Sequence, residues 1–270
     1  MTEPARAEPT VSVVIPVRDD AGYLERCLRA LAVQTSPPLE IVVVDNGSTD
    51  ESAAVARSHG ARVVEQLQVG IPIASATGYD AAVGDVIARL DSDSRPGPEW
   101  VATVQRLYAE HPEADALTGS GLLETDEGER QPVRSRLYLG PYFVLVRWAL
   151  ANLPVFGSAM ALRRSVWERV GAEVCRNDAD VHDDMDLSVH LGPDAVVLFD
   201  DRLTLPVSAR PLEGVPSMLR RGWRGMYTLA RHWPREHPVG RHVRRLRARR
   251  SARRLAARST ESPTIESRAA

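Results

Sequence analysis

Through its first 110 residues this chain alternates apolar runs with helical periodicities. Val11-Ser-Val-Val-Ile-Pro-Val17 reads as a buried strand, after which Leu24, Cys27, Leu28 and Leu31 recur at helical spacing until Thr35-Ser-Pro-Pro38 stops the helix. Residues 40–45 form a second strand that runs into Asn46-Gly-Ser-Thr-Asp50. There Ser48 followed by Glu51 makes a capping-box pattern for a helix through His59. A third short strand falls at 62–65, a helix opened by Pro72 at 72–83, and a fourth strand at 86–90. Such alternation predicts one α/β core of parallel strands joined by right-handed crossovers, a Rossmann-like sheet flanked by helices, with ligands at the C-terminal ends of the strands.

The second half is less regular. Helices are expected at 99–111, 142–150, 164–170 and 182–191, strands at 114–118, 157–163 and 195–199, and a polar turn at Thr125-Asp-Glu-Gly128. From 217 to 233, Leu219, Trp223, Met226, Ala230 and Trp233 share one helical face, with Arg220, Arg221, Arg224 and Arg231 largely elsewhere. These patterns divide the chain into a disordered N-terminus (1–10), one domain (11–210, in halves 11–111 and 112–210), an amphipathic helical extension (211–238) and an arginine-rich disordered tail (239–270).

Charge sharpens the last boundary. The chain contains no Lys, and its net charge of −2 hides an acidic body and a basic tail: residues 1–240 carry 24 Arg against 34 acids, residues 241–270 carry 10 Arg against 2. The tail lacks the interleaved aromatics and basic core of a nucleic-acid binder, so nucleic acid is not an expected partner. Val243, Leu246 and Leu255 give it a weak apolar side, which makes an anionic membrane surface an expected one. Two cysteines, Cys27 and Cys175, offer neither a disulfide framework nor metal-ligand spacing and are expected to be packed thiols in a reducing compartment. The first ten residues lack the apolar centre of a signal peptide, and the apolar stretch 137–162 is interrupted by Arg147, Asn152 and Pro154. The expected location is cytoplasmic, peripheral at the inner face of the cell membrane.

The chemistry concentrates in Arg89-Leu-Asp-Ser-Asp-Ser94. In a strand, residues two apart point to one face, so Asp91 and Asp93 at a strand end followed by Arg95-Pro-Gly-Pro98 converge on open space and suit a hard divalent cation. A cation there is what a nucleotide diphosphate needs to depart as a leaving group. A solvated turn with an Asp helix cap is the bland alternative. Asp45 ends its strand at the same sheet edge, as does Pro16-Val-Arg-Asp-Asp20. A carboxylate at that edge suits a nucleobase imide or ribose hydroxyl, or else caps a helix. A second cluster, Asp183, Asp184 and Asp186, either complements a helix N-terminus or supplies the base that takes a proton from an attacking hydroxyl. His182 and His190 flank it and read as surface or hydrogen-bonded histidines.

Together these segments resemble the family 2 glycosyltransferases of the GT-A fold. The resemblance runs over about residues 11–199 and rests on Val-Ser-Val-Val-Ile-Pro (11–16), Val-Val-Val-Asp-Asn-Gly-Ser-Thr-Asp (42–50), Leu-Asp-Ser-Asp (90–93), Phe-Gly-Ser-Ala-Met-Ala-Leu-Arg-Arg (156–164) and Asp-Asp-Met-Asp-Leu (183–187). It implies transfer of a sugar, with inversion, from a nucleotide-sugar donor to a hydroxyl acceptor such as a glycan or lipid-linked sugar, in cell-surface polysaccharide or glycolipid synthesis. By similarity, Asp45 would contact the nucleoside, and Asp91 and Asp93 the ribose and a Mg2+ or Mn2+ on the diphosphate. Pro16, Val17, Arg18, Asp20, Gly70 and Ser92 would border the donor, and Gly157 and Ser158 the acceptor or phosphate. Asp184 would be the base, with Asp183 in place of the family's usual Glu. Two departures stand out: Arg18 replaces a frequent Tyr, and Ser75 and Ala76 stand where many members carry the last two residues of Ala-Arg-Asn. The second departure motivates a rival reading, a non-catalytic nucleotide-sugar or glycan-binding protein on the same scaffold.

Overall fold

The computed structural model describes residues 8–210, 214–233 and 235–260. The disorder expected at residues 1–7 and 261–270 lies outside the described residues. β1 (Val11–Val17), α1 (Ala21–Ala32), β2 (Glu40–Asp45), α2 (Ser52–Ser58), β3 (Arg62–Glu65), α3 (Ile71–Ala81) and β4 (Val86–Arg89) alternate as the periodicities predict. β1 pairs in parallel with β2 and β4, and β2 with β3. The central strands read as unbroken apolar runs because both faces are covered. Val13, Ile15 and Val43 pack with Leu24, Leu28 and Leu31 of α1 and with Val101 and Val104 of α4 (Trp100–Glu110), whereas Val14, Val42 and Val44 pack with Ala74, Ala76 and Tyr79 of α3. α3 lies so close to the sheet that a Cβ on Gly78 would stand 2.3 Å from Val14 Cγ1.

The remaining elements are β5 (Ala116–Thr118), β6 (Gly121–Glu124), α5 (Pro132–Leu150), β7 (Met160–Arg163), α6 (Arg164–Val170), α7 (Asp183–Leu191), β8 (Val197–Phe199), β9 (Leu205–Ser208), α8 (Val215–His232) and α9 (Pro238–Thr260). The main sheet has the order β3-β2-β1-β4-β7-β5-β8, and β7 runs antiparallel to both β4 and β5. The sheet is thus mostly, not wholly, parallel.

Several expectations need correction. The helix expected at 142–150 is the second half of α5, whose first half is masked in sequence by Gly140-Pro141, a breaker pair carried inside the helix. Residues 195–199 do not supply the final strand, since β9 follows and pairs in parallel with β6. The Ser48/Glu51 capping box does not form: Ser48 Oγ accepts the Asp19 N–H at 3.1 Å, and α2 begins only at Ser52. Carboxylates organise that turn instead, Asp45 accepting the Ser48 N–H at 3.0 Å and Asp19 the Thr49 N–H at 2.7 Å.

The tail expected to be disordered from residue 239 runs as α9 as far as Thr260. Arginine is a good helix former, and the helix is fastened by Arg241, which is fully buried. Arg241 donates to the Leu150 carbonyl at 2.6 Å and the Val189 carbonyl at 3.1 Å, and pairs with Glu236 at 2.6 Å. Those carbonyls close the C-terminal turns of α5 and α7, where a cation is favoured by the helix dipole. α8 carries the amphipathic face expected of it, yet Leu219, Trp223, Met226 and Trp233 are 52–68% exposed. No helix among the described residues is long and apolar enough to cross a membrane.

Candidate active site

β4 ends in Arg89, a charged residue only 4% exposed in an otherwise apolar strand, and the chain then turns through Asp91, Ser92 and Asp93. The two carboxylates therefore meet the same cleft by way of a turn rather than through the pleat of a strand. Ser94 fixes that turn, its Oγ accepting the Asp91 N–H at 3.1 Å. Asp91 accepts from Arg89 Nη2 at 2.8 Å and from Ser158 Oγ at 2.5 Å. Burial, reinforced by the neighbouring Asp91 carboxylate, pushes Asp93 up to about 7.

On the β1 side, Asp20 accepts from Ser92 Oγ at 2.6 Å and from both terminal nitrogens of Arg210 at 3.0 and 3.1 Å. The Arg210 guanidinium lies over the Tyr23 ring at 3.7 Å and comes within 3.8 Å of Asp93. Asp45 is occupied with the Ser48 turn, and its neighbour Asn46 accepts the Gly70 N–H at 2.7 Å, tying the start of α3 to the end of β2.

The second acid cluster opens α7. Asp183 accepts from Arg89 Nη1 at 2.6 Å and from Ser75 Oγ at 2.9 Å. Arg89 thus bridges the two acid clusters, and Ser75 serves to hold Asp183. Gly157 is required here because a Cβ would stand 2.5 Å from Arg89 Nη1. Asp184 is buried, accepts the Gly157 N–H at 3.0 Å and lies 2.5 Å from His182 Nδ1. Burial opposes its charge, but His182, Arg89 and the Gly157 N–H outweigh burial and hold the carboxyl below the usual carboxylate range. The same contact raises His182, against the effect of its own burial.

These groups line one cleft of about 880 Å³. Pro16, Val17, Arg18, Asp91, Ser92, Asp93, Gly157, Ser158, Asp183 and Asp184 all border it, whereas Asp20, Asp45 and Gly70 do not: Asp20 and Gly70 bond to Ser92 and Asn46, which line it, and Asp45 bonds to Ser48, which does not. Sequence reasoning missed Arg89, Arg210 and the coupling of His182 to Asp184. Only Arg89 leaves a signal, as a charge in a buried strand, where arginine is rare unless paired. The outer wall is largely apolar, formed by Leu139, Tyr142 and Leu145 of α5 and by Met218, Met226 and Leu229 of α8, with Arg220, Arg221 and Arg224 of α8 beside them. Asp91 and Asp93 suit a hard divalent cation: their oxygens are the right donors, and the Asp91 repulsion that adds to burial in raising Asp93 is what such a cation would relieve.

The model of the family described as Glycosyl transferase family 2 matches residues 12–171, more than half of the chain. Among curated relatives, Glycosyltransferase AglE of Haloferax volcanii is 37% identical over 101 residues, 34% of this chain and 33% of that protein. Validoxylamine A glucosyltransferase of Streptomyces hygroscopicus subsp. limoneus is 37% identical over 119 residues, 41% of this chain and 26% of that one. The chain therefore spans about a third or less of the length of these relatives. Among solved structures, mannosyltransferase PcManGT of Pyrobaculum calidifontis, in complex with GDP-Man and Mn2+, superposes with a TM-score of 0.64 at 19% identity, covering 96% of this chain and 77% of that one. Glucosyl-3-phosphoglycerate synthase of Mycobacterium tuberculosis, in complex with Mn2+, UDP and glucosyl-3-phosphoglycerate, gives 0.59 at 22% identity, covering 83% and 80%. At such identity the structural likeness is one of fold, the GT-A fold, and with the sequence match it shows that the chain belongs to glycosyl transferase family 2.

Proposed function

We propose that the chain is an inverting glycosyltransferase that moves a sugar from a nucleotide diphosphate onto the hydroxyl of an amphiphilic acceptor. The observation that carries this reading is the arrangement of Asp91 and Asp93 on one side of a single cleft and Asp183 and Asp184 on the other, with Arg89 between them. The donor diphosphate sits toward Asp91 and Asp93, which would hold Mg2+ or Mn2+. A cation held there would neutralise charge on the departing diphosphate. Asp20 and Arg210 steady Ser92 and Asp93, and Pro16, Val17 and Arg18 border the nucleoside end.

In a single displacement the bond from the anomeric carbon to the diphosphate oxygen breaks as the acceptor oxygen bonds to the opposite face. The acceptor's proton passes to the Asp184 and His182 pair. His182 gives one nitrogen to Asp184 and takes the proton on the other, while the ionised Asp184 orients the ring and stabilises the imidazolium that forms. Gly157 presents its N–H to Asp184, fixing that carboxylate. The apolar outer wall supports an acceptor with an apolar portion, and the exposed apolar face of α8 supports peripheral attachment to the inner face of a membrane, consistent with glycolipid or cell-surface polysaccharide synthesis. A thermal-shift screen of nucleotide sugars with and without Mn2+, followed by turnover of the donors that bind, tests the reading. Binding with turnover is expected. Binding of a donor with no transfer to any hydroxyl acceptor would leave only a binding protein.

A further inference from the structure

α7 carries a third acid that takes no part in the cleft. Asp186 is 2% exposed, and its Oδ2 accepts the Cys175 N–H at 2.8 Å. Its Oδ1 lies 2.7 Å from His232 Nε2 and 3.5 Å from His190 Nε2. Asp186 and His190 are four residues apart and so share one helical face. Cys175 arrives from the segment after α6, and His232 is the last residue of α8. Across these three stretches, one ligand atom from each of Cys175, Asp186, His190 and His232 lies within 4.8 Å of the others.

A hydrogen-bonded cluster accounts for this arrangement incompletely. His190 Nε2 is buried and has only Asp186 Oδ1 at 3.5 Å, beyond the length of a normal N–H···O bond, among the described residues. The other ring nitrogen of His190 faces Glu173 at 3.5 Å, the outer carboxylate that commonly orients a metal-bound imidazole and directs its second nitrogen inward. One thiol, one carboxylate and two imidazoles form a four-donor set of sulfur, oxygen and nitrogen, the chemistry of tetrahedral zinc rather than of a hard cation.

We propose that Cys175, Asp186, His190 and His232 form a structural zinc(II) site, separate from the cation site of the cleft. Binding converts the Cys175 thiol to thiolate and releases its proton to solvent, so that thiolate and Asp186 carboxylate together balance the ion's two charges. The ion joins the C-terminal end of α8 to α7. α8 supplies Met218, Met226 and Leu229 to the wall of the cleft, and α7 opens with Asp183 and Asp184. The site therefore fixes the acceptor wall relative to the acid cluster, and it does not depend on the proposed transfer reaction.

Cobalt(II) titration of the metal-stripped full chain tests the assignment. One equivalent is expected to bind with tetrahedral visible bands and a near-ultraviolet thiolate-to-cobalt charge-transfer band, and zinc should displace it one for one. C175S should abolish the charge-transfer band. Cys27, fully buried in the core, remains as an internal control. H190Q and H232Q should each weaken zinc binding at least tenfold and remove the rise in Tm that zinc gives the native chain. C175H, which keeps a zinc-competent donor, should restore zinc binding without the charge-transfer band, separating loss of a ligand from loss of folding. The D91N/D93N double variant should keep the band unchanged. No charge-transfer band in the native chain, or a band that survives in C175S, would overturn the site, as would binding lost in D91N/D93N and retained in H190Q and H232Q.

Discussion

Arg89 Nη1 lies 2.6 Å from Asp183 Oδ2, an ion pair between the last residue of β4 and the first residue of α7. Its other terminal nitrogen holds Asp91 at 2.8 Å. Removing this buried guanidinium takes the shared cation from two half-buried carboxylates, and breaking a buried pair from one side costs about 3–5 kcal/mol, an upper bound here because Asp91 meets the cleft. R89M is expected to lower unfolding free energy by that order, measured by denaturant titration. R89K, a point charge without the fork, should recover part of the stability but bridge only one acid cluster. Wild-type stability in R89M would show that the bridge contributes nothing.

Gly157 tests the same contact from the opposite side. G157A places a methyl against the Arg89 guanidinium, at an ideal Cβ to Nη1 separation of 2.5 Å, and Arg89 has no slack because both its partners are fixed. Loss of stability together with weaker donor binding is expected, seen by thermal unfolding and calorimetry. An unperturbed variant would mean that the Arg89 bridge can shift without consequence.

On the donor side, D91N and D93N each remove a carboxylate oxygen aimed at the cation and diphosphate. Calorimetry of nucleotide diphosphate binding should show weakened, less metal-dependent affinity in both. Equal affinity and metal dependence in the two variants and the wild type would remove the metal assignment.

The early strands, the first helices and both acid clusters are legible in sequence because each is a local pattern: Val42, Val43 and Val44 are continuous and buried, and Asp91 and Asp93 punctuate an apolar run. What the sequence conceals depends on distant partners. Arg210 reaches Asp20 across 190 positions and Ser75 reaches Asp183 across 108, separations that carry no periodic signal. Cys175 and His232 follow no ligand spacing and meet only because the segment after α6 and the end of α8 both reach Asp186 of α7. The tail misled for a related reason, since Arg241 is buried by carbonyls at the ends of α5 and α7 that lie 91 and 52 residues before it.

The proton acceptor is open to direct test. D184N is expected to reduce turnover by roughly 10²-fold to 10⁴-fold, the usual contribution of general-base catalysis, because it removes the carboxylate that orients His182 and stabilises its protonated form, with donor affinity nearly intact. D183N should spare the base but loosen Arg89, so its effect should fall on donor affinity as well as rate. His182 is raised above its ordinary value of about 6.5 by Asp184, and its protonated form cannot accept the acceptor's proton. Activity should therefore fall as pH drops through a midpoint above that value, and H182Q should move the limb to lower pH. A profile unchanged by H182Q would exclude His182 from the proton path, and full turnover in D184N would exclude Asp184.

Membrane attachment is expected to rest on α8 more than on α9. Arg241 and Arg244 are engaged with Glu236, and Arg241 also with the ends of α5 and α7, so part of the tail's charge is already spent within the chain. α8, by contrast, has Leu219, Trp223 and Met226 exposed beside exposed Arg220 and Arg221, with no acid between residues 214 and 233. An apolar stripe flanked by arginines is the pattern of a helix lying in a lipid interface. Each arginine near an anionic surface adds about 1 kcal/mol and is screened by salt, whereas the apolar contribution is not screened. Sedimentation with anionic vesicles should thus be strong at low salt and reduced, not abolished, at high salt. The W223A/M226S variant should lose the salt-resistant part, R220Q/R221Q the salt-sensitive part, and deletion of residues 246–270, which spares Arg241 and its contacts with α5 and α7, should weaken binding while leaving turnover of a soluble acceptor intact. Binding to neither neutral nor anionic vesicles, or binding unaffected by both α8 variants, would remove the membrane role, and equal binding to the two would remove the arginines' part in it.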